Sequence, residues 1–86
     1  MTVLFYGSVK DYTLGEKSFD AHGAQSVHML IDMLGKRFGD SFSDFLLGDE
    51  TCFFLVNGNS IIATGGLNTQ LSSDDTVEIL PFVDGG

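Results

Sequence analysis

The sequence predicts an α+β fold: a mixed sheet of about five strands with one main helix and a short second helix on one face. Three observations carry this. β-prone apolar runs stand near both ends of the chain, at residues 2–6 and 76–80. An amphipathic stretch between them reads as a helix, and a crossover of that kind lets the two end strands lie parallel in the centre of the sheet. Asn57-Gly58, flanked by apolar residues, is the signature of a tight two-residue hairpin.

The elements follow in order. Residues 2–6 form the first strand, and residues 16–20 a weaker second one, joined through Lys10-Asp11 and Leu14-Gly15 as a hairpin. Ser26 can then cap a helix in which Val27, Leu30, Ile31, Leu34 and Phe38 recur at helical spacing, with His28, Asp32 and Lys36 on the other side. Lys36 and Arg37 suit the negative end of the helix dipole, and Gly39 is expected to end the helix in a left-handed conformation. Gly35, inside the helix, is a local inconsistency worth roughly 1 kcal/mol relative to Ala. Phe42, Phe45 and Leu46 predict a short second helix over residues 41–47, broken by Gly48-Asp49-Glu50. Cys52–Val56 is a continuous β-prone run, Asn57-Gly58 turns it, and residues 60–62 are expected as a brief return strand. Residues 63–70 read as irregular, 72–75 as a turn, and 76–80 as the last strand, with Val77 and Ile79 on one face and Glu78 and Leu80 on the other.

Eighty-six residues fit one domain, and the eight Phe and 43% hydrophobic content suffice for one core. No stretch approaches the roughly 20 apolar residues of a membrane span, and the opening residues lack the basic and apolar segments of a signal peptide. A cytoplasmic chain without a membrane partner is expected. Twelve acidic against four basic side chains give a formal charge of −8, which repels nucleic-acid phosphates and suits docking to a basic protein surface. The single cysteine, Cys52, excludes an internal disulfide and does not suggest a thiolate metal cluster.

The chain closes on Pro81-Phe82-Val83-Asp84-Gly85-Gly86. Pro81 is expected to end regular strand pairing, so residues 1–81 read as the folded domain and residues 82–86 as a flexible diglycine tail. Two residues without a Cβ can thread a narrow protein channel, and five extended residues reach on the order of 17 Å. A free carboxylate is a poor electrophile until activated. Transfer to the α-phosphate of ATP makes a mixed anhydride, from which a sulfur nucleophile can displace AMP and leave a thiocarboxylate. No side chain of the protein need act as acid or base. The plain alternative is a terminus with no role of its own.

Several residues read as structural. His22 and His28 have no cysteine or paired carboxylate at ligand spacing, so no metal site is expected. Cys52 lies in an apolar run without a neighbouring base and reads as a small core residue. Asp74 and Asp75 belong to a strand-entry turn, and Gly65-Gly66 lacks the following helix and lysine of a phosphate cradle.

Taken together, Val3-Leu4-Phe5-Tyr6, Val56-Asn57-Gly58, the stretch Leu71-Ser72-Ser73-Asp74-Asp75-Thr76-Val77-Glu78-Ile79 and the end Leu80-Pro81-Phe82-Val83-Asp84-Gly85-Gly86 resemble the ubiquitin-like β-grasp sulfur carriers. These include the small subunit of molybdopterin synthase and the sulfur carrier of thiazole synthesis. The end resembles the family's Phe-Pro-Pro-Val-x-Gly-Gly, with Phe82 in place of the second proline. The resemblance implies a carrier rather than an enzyme, binding no cofactor itself. An adenylating enzyme related to ubiquitin-activating enzymes would use Mg-ATP to activate Gly86, and a sulfurtransferase would load sulfur. Val83, Asp84 and Gly85 would thread into the acceptor, such as the molybdopterin synthase large subunit. Tyr6, Leu80, Pro81 and Phe82 match the sites such carriers present to partners. The chain is longer than the thiazole carriers because of residues 41–50, which favours the molybdopterin-like branch. The alternatives are sulfur delivery to thiamine, cysteine or tRNA thiolation, or a ubiquitin-like modifier joined to lysines through Gly86.

Overall fold

In the computed structural model, which describes residues 1–48 and 51–82, the two end runs lie side by side at the centre of one sheet. The strands are β1 (Thr2–Phe5), β2 (Ser18–Asp20), β3 (Cys52–Val56), β4 (Asn59–Ser60) and β5 (Thr76–Pro81), in the spatial order β2-β1-β5-β3-β4. β1 and β5 run parallel, with Val3 opposite Val77 and Phe5 opposite Ile79, and every other pairing is antiparallel. The parallel centre requires a crossover, and helix α1 (Val27–Phe38) is in the connection that supplies it. This is the five-stranded mixed sheet with two helices that the sequence predicts, a ubiquitin-like β-grasp.

The period-2 and period-3.6 patterns meet in one core. Val3, Phe5, Phe54, Val77 and Ile79 from the sheet belong to the same buried cluster as Val27, Leu30, Ile31 and Leu34 of α1. Each such side chain contributes about 1.5–3 kcal/mol through apolar burial. Ser26 caps α1 as expected, its Oγ accepting from the Met29 N–H at 3.2 Å. Helix α2 (Asp40–Leu47) closes one end of the core through Phe42 and Leu46, and its aromatic rings join a cluster around Phe5, Tyr12 and Phe38. Gly35 now has a reason: a Cβ there would stand 2.8 Å from Ser43 Cβ, so its absence lets α1 and α2 approach.

Four local expectations are corrected. Gly39 ends α1 at φ 117, ψ 157, a positive φ with an extended ψ rather than the left-handed helical value, because it also serves as the entry residue of α2. The return strand after Asn57-Gly58 is only Asn59–Ser60. Ser60 Oγ accepts from the Ile62 N–H at 3.2 Å and caps a 3-10 turn, Ile61–Ala63, that ends the pairing. The second strand is shorter than residues 16–20, since the Glu16 carbonyl accepts from Thr13 Oγ1 at 2.8 Å within the preceding turn. Finally, strand pairing does not stop at Pro81. Pro81 belongs to β5, and the Phe82 N–H still donates to the Thr51 carbonyl at 3.0 Å. The missing proline N–H faces the β1 side beyond the end of that strand, where the Tyr6 carbonyl is already taken by the Val9 N–H at 3.2 Å, so no ladder bond is lost.

Candidate docking face and tail root

Strand alternation that buries Val77 and Ile79 turns Thr76, Glu78 and Leu80 to the opposite face. On β3, burial of Phe54 turns Phe53 and Leu55 the same way, and on β1 burial of Val3 and Phe5 turns out Leu4 and Tyr6. The result is an open apolar face over the three central strands. Leu80 sits opposite Phe53 in the β3–β5 register, and Phe53 stacks on Phe82 with ring centroids 4.9 Å apart. Tyr6 is brought beside them because its N–H donates to the Ile79 carbonyl at 3.1 Å. Tyr6, Phe53 and Phe82 are 39%, 37% and 43% exposed, unusual for three aromatic rings on one face of a small domain.

Of the residues singled out from sequence, the structure thus gathers Tyr6, Leu80, Pro81 and Phe82 at the C-terminal end of β5. Val83, Asp84, Gly85 and Gly86 lie outside the described residues. Sequence reasoning missed Phe53, Leu4, Leu55 and Glu78. The signal for Phe53 was available: in a strand with Phe54 inward, its neighbours must point outward.

Glu78 stands in the middle of this face, with Leu4 opposite it on β1 and Leu55 opposite it on β3. The Tyr6 hydroxyl donates to its Oε2 at 2.8 Å. That hydrogen bond, followed by partial desolvation and the carboxylate charge, holds the Tyr6 phenol above its ordinary value.

The other residues singled out from sequence take the following places. Cys52 is half-buried against the core opposite Pro81, and burial raises its thiol pKa, only partly offset by the Thr51 hydroxyl. Asp75 locks the turn into β5: its carboxylate accepts from the Ser72 N–H and from Asn57 Nδ2, both at 2.8 Å. His28 is exposed on α1, and His22 faces Asp20 at 3.3 Å on the surface. Among the described residues no group of three or more His, Cys, Asp or Glu side chains is placed to hold a metal ion, and no helix is long and apolar enough to cross a membrane.

Known proteins give the arrangement a lineage. A chain of the Amycolatopsis orientalis BexX/CysO complex superposes with a TM-score of 0.81 at 30% identity, over 99% of this chain and 98% of that one. CysO of Mycobacterium tuberculosis gives 0.83 at 27% identity over 95% and 98%. Small archaeal modifier protein 1 of Methanosarcina acetivorans gives 0.78 at 26% identity over 99% and 94%. A comparison with curated proteins finds no match. The model of the ThiS family matches residues 3–86, a span that takes in all of the sheet but Thr2, both helices and the diglycine, and so this chain belongs to the ThiS family of β-grasp sulfur-carrier proteins.

Proposed function

We propose that this protein is a sulfur-carrying cosubstrate whose Gly86 carboxylate is adenylated by a partner enzyme using Mg-ATP and then converted to a thiocarboxylate. The observation that carries the reading is the family match through residue 86, which takes in Gly85-Gly86. Attack of the carboxylate on ATP releases pyrophosphate, and sulfide-level sulfur supplied by a sulfurtransferase expels AMP. The thiocarboxylate is a soft nucleophile able to pass its sulfur to an acceptor. The described side chains of this chain dock and position rather than react: Phe82, stacked on Phe53 and bonded to Thr51, fixes where residues 83–86 begin. We place the protein in the cytoplasm, where the ATP that this chemistry consumes is at hand.

The acceptor we put first is the large subunit of molybdopterin synthase, on the strength of the inserted residues 41–50, most of which form α2. A BexX-like partner comes second, favoured by the similarity to a chain of the BexX/CysO complex. The similarity to a small archaeal modifier protein favours a further reading, conjugation of Gly86 to lysines, since one activated carboxylate can meet sulfur or amine.

The test is mass spectrometry of the chain incubated with its adenylating enzyme, Mg-ATP and a sulfur source. Exchange of one oxygen for sulfur at Gly86 is expected; an unchanged mass under conditions in which a control carrier is converted to its thiocarboxylate defeats the proposal. Acceptor identity is read by adding the thiocarboxylate form to each candidate acceptor and following loss of the added sulfur.

A further inference from the structure

Among the outward positions of β1, β3 and β5 within the described residues, Glu78 is the one charged side chain. Its neighbours across the ladder are both leucines, and Phe53 and Leu80 lie one step further along. A partner that covers the aromatic rings must also cover this carboxylate. Taking a carboxylate out of water without a counter-charge is costly. Among the described residues the hydrogen-bond donor to the Glu78 carboxylate is the Tyr6 hydroxyl, which reaches one oxygen, Oε2. The ion pairs among the described residues leave Glu78 without a cation of its own, although Lys10 and Lys17 border a shallow depression with Leu4, Phe5 and Tyr6. Tyr6 therefore orients the carboxylate without neutralising it. A face built only for apolar contact would carry an aliphatic residue at this central position.

We infer that Glu78, oriented by the Tyr6 hydroxyl, is a specificity residue of the docking face, shaped for a protein partner that presents an arginine or lysine within an otherwise apolar surface. The formal charge of −8 draws such a basic partner in, and Glu78 is where that general attraction becomes a directed contact. Partners that are apolar throughout, or acidic opposite Glu78, are rejected by the unpaired charge. The inference rests on the carrier reading in one respect: the partner is taken to be the adenylating enzyme, the first protein that must grip the body of the carrier while holding its tail.

The experiment titrates wild type, Glu78→Gln and Tyr6→Phe into the purified adenylating enzyme by calorimetry at two ionic strengths, with pyrophosphate release measured at saturating enzyme. Glu78→Gln is expected to weaken binding about tenfold or more and to flatten its salt dependence, with Tyr6→Phe losing less. Glu78→Lys should bind worst and recover when the facing basic residue of the enzyme is changed to Glu. Equal affinity of wild type and Glu78→Gln overturns the inference, as does a loss that leaves the salt dependence unchanged, which marks a packing effect. The two readings separate cleanly. Binding that is indifferent to Glu78, with adenylation intact, leaves the carrier function standing and removes the specificity residue. Glu78-dependent binding without adenylation does the reverse, and failure of wild type to bind overturns both.

Discussion

The two faces of β5 are made from alternate residues of the same six-residue strand, yet they obey different rules. Val77 and Ile79 are completely buried against the helix layer, whereas Glu78 and Leu80 stay half-covered, with no second layer above them among the described residues. The inner face is closed by this chain's own helix; the outer face carries the rings of Tyr6, Phe53 and Phe82, and among the described residues no helix meets them. The inner face therefore governs folding, and the proposal made above gives the outer face to association. A side chain's effect can be assigned by its parity along the strand.

Substitutions that probe the two parities should separate cleanly. Ile79→Ala is expected to cost about 2–5 kcal/mol in chemical denaturation because it opens a cavity against α1, while Leu80→Ala should leave stability within about 1 kcal/mol and weaken partner binding instead. If Leu80→Ala unfolds the domain, the division of labour is wrong. Gly35→Ala sharpens the inner side. Its new Cβ meets Ser43 at 2.8 Å, so a loss of about 1–3 kcal/mol is expected despite alanine's better helix propensity, and pairing it with Ser43→Gly should recover most of the loss. The smallest effect belongs to the outer side. The Tyr6 phenol is held above its ordinary 10.0, so the protonated form is favoured in the folded state. The contribution of that contact is complete below the ordinary value and disappears as pH rises through the raised one. Ultraviolet titration should show the Tyr6 transition moving down in Glu78→Gln; an unmoved transition would mean that the contact does not persist in solution.

Much of this was legible before any coordinates. The 3.6-residue spacing from Val27 to Phe38 gave the helix and its buried stripe, and the positive φ values of Asn57 (51) and Gly58 (85) are what an Asn-Gly hairpin demands. The parallel pairing of the two end strands followed from chain connectivity. What was not legible depended on distant groups. A glycine inside a helix looks like a defect until Ser43 of another helix stands against it. The short return strand was lost to a serine whose hydroxyl competes for the next turn's N–H. Pro81 looked like a terminator because its missing donor matters only if an acceptor is waiting, and Val9 already occupies that acceptor. At the site, Tyr6, Leu80 and Phe82 could be named one by one, but the Phe53 stack and the Glu78 contact join residues far apart in the chain and emerge only from register.

The continued pairing at Phe82 has a mechanical consequence. β5 is the middle strand, held by parallel rungs on one side and antiparallel rungs on the other, all lying across its axis. Tension applied to the chain beyond Phe82 runs along that axis and loads these rungs together as shear, instead of breaking them one after another. An enzyme that hauls on the end of this molecule moves the whole body and leaves the strand in its sheet.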